Sequence, residues 1–194
     1  EWVNSEVGFI QPINQLKMFL KEKNIKCELI IDGVQGFGKI DLIDLKSVTT
    51  FTFTGHKCGS PVGIGGLYLK NSLKYKPMLL GGGQEREMRS GTVSVPLVSS
   101  FWDAFKTCDD KRKNFKDIQW RIDKPNLIQD EETSYSPYIM MLNTEPVEGE
   151  VLLHHLEEKG IYLGLGSACS ASKKKISNTH KAIGLSNQQS RCTL

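Results

Sequence analysis

The sequence predicts an α/β fold in which a mainly parallel sheet is covered by helices. Two observations predict it. Short apolar runs of strand length alternate with longer segments of helical period. The strand candidates are also apolar at successive positions, as strands buried on both faces are. The chain has 194 residues, enough for one sizeable domain and its core.

Residues 12–24 open on Pro12 and place Ile13, Leu16, Phe19 and Leu20 on one helical face. Residues 27–32 (CELIID) form an apolar run that ends in an acid. Residues 48–53 (VTTFTF) and 64–69 (IGGLYL) are further strand candidates, rich in β-branched and aromatic side chains. Residues 94–120 read as largely helical around Leu97, Phe101, Phe105 and Phe115, with a charged, solvated face from Asp109 to Lys116. Residues 138–143 (YIMMLN) and 161–165 (IYLGL) read as strands. Between them, residues 148–159 read as a helix, with acids in the first turn, Lys159 in the last and Gly160 as its stop. A short helix is expected after Ser177. The pattern divides the chain into residues 1–124 and a smaller α+β part over residues 125–194.

Hydrophobic residues make up 39% and charged residues 24%, a globular composition. A formal charge of +3 gives no electrostatic argument for a direct nucleic-acid partner. No apolar run approaches the roughly 20 residues that span a bilayer, so no membrane partner is expected. The five cysteines are odd in number and lack metal-ligand spacing, which favours free thiols in a reducing compartment such as the cytoplasm.

Three segments of the first half carry candidate chemistry. Asp32 ends a strand run, with Gln35 three residues on. An acid there either caps a turn or faces the crevice where α/β proteins bind ligands, and could pair with a protonated ring nitrogen. Thr54-Gly55-His56-Lys57 follows a strand directly and precedes the glycine-rich Gly63-Ile64-Gly65-Gly66. Lysine forms Schiff bases with aldehydes, and a hydroxyl and a histidine could bind phosphate. The bland alternative is a solvated loop lysine. Gly81 to Arg86, followed by Arg89-Ser90-Gly91-Thr92, would let backbone approach an anion, although it matches no phosphate-loop fingerprint. In the second half, Cys169 lies in a loop of small residues followed by Lys173, Lys174 and Lys175. It is either an inert loop thiol or an accessible one whose thiolate the lysines favour.

Together these segments resemble the cysteine desulfurases of the class V aminotransferase superfamily. Val3-Asn4-Ser5-Glu6-Val7-Gly8 is similar to the family's VNNEIG, with Gln11-Pro12 following. Asp32-Gly33-Val34-Gln35 resembles DAVQ. Thr54 to Lys57 resembles SGHK. Gly81 to Thr92 resembles GGGQERGMRSGT, with Glu87 where glycine is usual. Gly166-Ser167-Ala168-Cys169-Ser170 resembles GSACS.

The resemblance implies a fold-type I transferase large domain and part of a small C-terminal domain. It also implies pyridoxal 5′-phosphate as cofactor. Lys57 would hold it and later move protons. Asp32 would face the pyridine nitrogen and Gln35 the ring hydroxyl, while Thr54 and His56 would bind the phosphate. Thr92 would reach the phosphate site of a second copy, implying a homodimer. Asn4 would help hold the carboxylate of L-cysteine. Cys169 would take the sulfur as a persulfide, leave L-alanine, and pass sulfur to an iron–sulfur scaffold or tRNA-thiolation protein. In the family pattern a phosphate cup and a ring-stacking histidine precede this segment, and a carboxylate-binding arginine follows Leu194. The expectation is therefore a chain that is inactive, or nearly so, by itself. Two other readings are a non-catalytic interaction module of the same ancestry and a related enzyme such as a selenocysteine lyase.

Overall fold

The computed structural model describes residues 1–71, 74–116, 134–165 and 176–194. They form two compact units. The first comprises Glu1–Trp2 and Gln11–Phe115; the second comprises Val3–Ile10 and Lys116–Leu194.

The first unit is built on a three-stranded sheet in the order β1 (Ile30–Asp32), β2 (Thr50–Thr54), β3 (Gly65–Leu69). β1 and β2 run parallel, with Ile30, Ile31 and Asp32 opposite Thr50, Phe51 and Thr52. β2 and β3 run antiparallel, with Thr54 opposite Gly65. Past the end of β1, the Gly33 amide still donates to the Thr52 carbonyl at 2.8 Å, while the Trp2 amide donates to the Asp32 carbonyl at 2.7 Å. The carboxyl end of β1 is thus held from both sides.

One face of this sheet is packed with rings. Phe51 and Phe53 are two residues apart on β2, so both point to the same side. Phe37 stacks on Phe53 with 4.3 Å between centroids and lies 5.3 Å from Phe105. Trp2 meets Phe51 edge-on at 5.9 Å. The helix α2 (Val95–Lys106) reaches the cluster through Phe101 and Phe105, four residues apart on one helical face. Gly33 is required beneath it, because a Cβ there would lie 2.0 Å from the tip of the Phe51 ring. Behind α2, the predicted helical stretch continues as α3 (Cys108–Lys116), whose Asp109, Asp110, Lys111 and Lys113 are exposed as expected.

The first expected helix is present as α1 (Ile13–Glu22). Lys17 ties it to the 44–47 turn by donating to the Asp44 carbonyl at 2.7 Å. Burial of the strands on both faces does not hold. In β1 only Ile31 is buried, at 4% exposure, whereas Ile30 is 76% exposed. β1 is the edge strand of the described sheet, and the aromatic cluster covers one face only.

Among the described residues, the second unit is stitched by isolated bridges rather than a sheet. Val3 pairs with Ile10, Phe9 with Tyr135 and Asn143 with Thr193. Residues 138–143, expected as a strand, form no strand; they meet the C-terminal segment, where Leu142 and Leu194 exchange both amide–carbonyl bonds, at 2.8 and 3.1 Å. A ladder needs a longer neighbour, and α6 (Asn187–Arg191) ends directly before that segment. Residues 161–165 also form no strand. Ile161, Tyr162 and Leu163 are exposed and have no strand partner among the described residues. The expected helix at 148–159 is α4 (Gly149–Glu157), followed by Gly160 at φ +76°, a conformation glycine adopts without cost. α5 (Asn178–Ala182) starts after Ser177, whose side chain caps it. α6 was not anticipated. Its signal is the Ser186…Gln189 capping box, in which each side chain bonds the other residue's amide.

Phe51 is 1% exposed and central to the ring cluster. Phe51→Ala is expected to cost about 3–5 kcal/mol. Urea unfolding followed by tryptophan fluorescence measures this, and a loss below about 1 kcal/mol would contradict the packing described.

Candidate functional site

Five of the residues singled out in the sequence gather at the carboxyl ends of the two parallel strands. Asp32 is the last residue of β1, and Gln35 lies on the turn beyond it. Thr54 is the last residue of β2, and His56 and Lys57 follow in a single 3₁₀ turn, His56–Cys58. Because the strands are parallel neighbours, both turns emerge on the same edge of the sheet. That edge is where open α/β sheets bind ligands.

The first turn is shaped by its own hydrogen bonds. Asp32 Oδ1 accepts from the Val34 amide at 2.9 Å, and the Phe37 amide donates to the Gly33 carbonyl at 2.8 Å. Phe37 is thereby folded back into the ring cluster, while the Asp32 side chain stays exposed. Gln35 Oε1 accepts from Lys39 Nζ at 3.1 Å. Burial, and then the charge of Lys57, hold the Lys39 ammonium below the usual lysine range, with Cys58 acting weakly in the other direction. Lys39 therefore shares the electrostatic neighbourhood of Lys57. It was missed in the sequence, although its spacing of four from Gln35 is the signal that could have found it.

The second turn is anchored by Cys58. Its Sγ is buried and donates to the Gly55 carbonyl at 3.1 Å, while its amide donates to the same carbonyl at 3.0 Å. With Cys58 turned inward, His56 and Lys57 on the same turn are exposed. Thr54 Oγ1 lies 2.8 Å from His56 Nδ1 and 3.4 Å from the Ile64 carbonyl. One arrangement satisfies both contacts: Nδ1–H donates to Oγ1, and the hydroxyl donates to Ile64. His56 Nε2 then carries a proton when the ring is charged, and can donate to an anion.

Thr92 is exposed on the loop that leads into α2. In the glycine-rich segment ahead of it, Gln84 Oε1 accepts from the Gly91 amide at 3.2 Å, and Ser90 Oγ donates to the Leu79 carbonyl at 2.8 Å. Glu85, Arg86 and Glu87 all have positive φ, with Glu87 at +65°. A glycine at that position would adopt this φ without strain. Cys169 and the rest of residues 166–175, including Lys173 to Lys175, lie outside the described residues.

Asn4 belongs to the second unit. Its Oδ1 accepts from the Glu6 and Val7 amides at 3.0 and 2.9 Å, and its Nδ2 donates to Thr179 Oγ1 at 3.5 Å. Thr179 in turn donates to Glu6 Oε1 at 3.2 Å. Next to it, His180 Nε2 lies 3.6 Å from Glu6 Oε2, beyond hydrogen-bond reach, and neither atom has a hydrogen-bond partner among the described residues.

The donor set fits pyridoxal phosphate. An amine that can condense with its aldehyde and a carboxylate suited to a protonated ring nitrogen stand at the ends of paired strands. A threonine hydroxyl and a histidine suited to phosphate are three and one residues from that amine in the same turn region.

Known proteins give the same direction. The family described as Aminotransferase class-V matches residues 1–190. A mitosomal cysteine desulfurase of Encephalitozoon cuniculi is 34% identical, over 94% of this chain and 44% of its own length. Cysteine desulfurase 2 of Trichormus variabilis is 32% identical, over 95% of this chain and 48% of its own. The chain thus spans about half the length of these curated relatives. Among solved structures, a NifS-like protein superposes with a TM-score of 0.81 at 24% identity, covering 99% of this chain and 52% of that one, a likeness of fold. SspA in complex with cysteine superposes with a TM-score of 0.74 at 27% identity, covering 99% and 55%.

The Glu6–His180 contact makes a pH prediction. Burial outweighs the Glu6 carboxylate and holds the His180 imidazole below its usual value. The unfolded chain then takes up a proton, near pH 6.5, before the folded chain does. Stability contributed by neutral His180 is complete above that pH and declines as pH falls toward the lower folded value. Urea midpoints measured in steps below about pH 6.5 should fall in the parent and flatten in His180→Leu. A parent midpoint that rises on acidification would contradict the burial of a neutral ring.

Proposed function

The chain belongs to the class-V aminotransferase family, and from that premise we propose that it carries the lysine turn and sulfur-accepting loop of a pyridoxal-phosphate-dependent cysteine desulfurase. The single observation that carries this reading is the parallel register of β1 and β2, with Asp32 opposite Thr52 and the Lys57 turn, His56–Cys58, beginning two residues after β2 ends at Thr54.

In this reading Lys57 Nζ holds the cofactor and afterwards carries protons to and from the reacting carbon. Asp32 faces the ring nitrogen, and its negative charge favours the protonated form. When bound, pyridoxal phosphate supplies an electron sink for bond cleavage at the substrate. Gln35 donates to the ring hydroxyl. Thr54 and His56 bind the phosphate, with His56 Nε2 as the charged donor, and Thr92 reaches the phosphate of a second copy in a homodimer. Asn4 contributes to holding the carboxylate of L-cysteine. Cys169 receives the sulfur: its Sγ bonds to the cysteine sulfur, the carbon–sulfur bond breaks, a proton replaces sulfur on carbon, and L-alanine leaves a persulfide on Cys169. The lysines at 173–175 favour the attacking thiolate. A protein of iron–sulfur assembly or tRNA thiolation then takes the sulfur. The thiols of Cys27, Cys58, Cys108 and Cys192 are free, which suits a reducing compartment such as the cytoplasm.

A second reading is an interaction module of the same ancestry without chemistry. One experiment separates the two. Pyridoxal phosphate is added to the chain and to Lys57→Ala, visible absorbance is recorded, and L-cysteine follows. The desulfurase reading predicts a visible band in the parent that Lys57→Ala lacks. Sulfide release from the chain by itself is expected to be absent or nearly so, and any release that does occur should be lost in Lys57→Ala and in Cys169→Ser. Mass spectrometry should find the persulfide on Cys169. A parent without a band supports the interaction module. Release from selenocysteine but not cysteine would identify a selenocysteine lyase instead.

A further inference from the structure

We infer that Lys39 is a positioning residue that fixes the orientation of the Gln35 carboxamide, turning its NH₂ group toward the bound ring. The inference rests on the proposed roles of Lys57 and Gln35 and adds a residue that those roles do not include.

A glutamine side chain presents a carbonyl oxygen on one side and an NH₂ on the other, and rotation by 180° exchanges them. In a cofactor site the two orientations have opposite effects. The NH₂ stabilises a negative ring oxygen, whereas the carbonyl repels it. Gln35 therefore needs a partner that discriminates between its two ends.

Lys39 is such a partner. Its ammonium has three donors and no acceptor, so it can bond only the oxygen of the amide. Lys39 Nζ lies 3.1 Å from Gln35 Oε1, within hydrogen-bond distance. Flipping the amide would set NH₂ against NH₃⁺ and lose that bond. The turn holds the pair at a fixed spacing: the Lys39 and Ile40 amides both donate to the Gly36 carbonyl at 3.1 Å, and the Phe37 ring is locked into the aromatic cluster.

The charge of Lys39 adds to the orientation. A half-buried ammonium near a second ammonium is unfavourable, and a bond to a carbonyl offsets part of that cost. The same bond polarises the amide, so that its N–H groups become stronger donors. The chain ammonium to carbonyl to N–H thus delivers part of the Lys39 charge to whatever Gln35 touches, and an anionic ring oxygen is the group such a donor suits.

The test is a double-mutant cycle on the full chain, with pyridoxal phosphate as the probe. The variants are Lys39→Met, Gln35→Leu, their combination and Lys39→Arg. The readouts are the dissociation constant of pyridoxal phosphate and the pH midpoint of the visible band. Loss of the oriented donor should weaken binding roughly ten-fold and raise the midpoint, because the anionic ring oxygen is less stabilised. Lys39→Met and Gln35→Leu should shift both readouts alike, and the combined variant no further. Lys39→Arg, which keeps charge and donors, should restore most of the midpoint. If Lys39→Met shifts the midpoint as far in the Gln35→Leu background as in the parent, Lys39 acts through its charge alone and the positioning role is overturned. Unchanged binding and midpoint in Lys39→Met overturn it as well. A parent without a band, or a band that survives Lys57→Ala, overturns the lysine-cofactor reading and this inference with it. Circular dichroism of each variant guards against loss of fold: an unfolded Lys39→Met is replaced by Lys39→Leu, which likewise removes both the charge and the donors.

Discussion

Parallel pairing between β1 and β2 fixes where every candidate group of the first unit can stand. Three residue pairs set the register, and the amides of Gly33 and Trp2 extend it beyond the strand end. A slip of one residue would turn Ile31 outward and Asp32 into the rings. The aromatic cluster opposes that slip. Phe51 and Phe53 belong to β2, Phe37 to the turn after β1, and Phe101 and Phe105 to α2, so the same packing that buries apolar surface also holds the two turns side by side. Core and site here are two faces of one constraint.

The two turns achieve exposure by the same means. After β1, Phe37 folds back into the cluster and leaves Asp32 and Gln35 on the outer side. After β2, Cys58 is the inward anchor and leaves His56 and Lys57 outside. In each turn one apolar or weakly polar side chain fixes the backbone and the neighbouring polar groups are presented. Lys39 belongs to this arrangement as a donor set behind Gln35. In the second unit, Asn4, Glu6, Thr179 and His180 form a polar cluster of a different kind, drawn from segments more than 170 residues apart in sequence.

Local signals made the helices and the lysine turn legible in the sequence. α1, α2, α4 and α5 follow from amphipathic spacing, acidic first turns, a glycine stop and a serine cap, all of which act within a few residues. The strands β1 to β3 were found as apolar runs, but their environment was not. Ile30 looks like a core residue in sequence and is exposed, because burial depends on what lies across the sheet. Residues 138–143 and 161–165 have strand composition but, among the described residues, no partner long enough for a ladder, and composition alone cannot supply one. Lys39 was overlooked because a lysine on a turn resembles any solvated lysine until its neighbour is known. The site residues were legible because a strand, a turn and a reactive side chain fall within a few positions, whereas the contacts of Asn4 with Thr179 depend on long-range folding.

The most direct measurement is the address of the cofactor. Pyridoxal phosphate is bound to the chain, the linkage is fixed by borohydride reduction, and peptides are mapped by mass spectrometry. Label on Lys57 alone is the predicted result. Label centred on Lys39, or spread over the exposed lysines without preference, would contradict a site built on the carboxyl ends of β1 and β2.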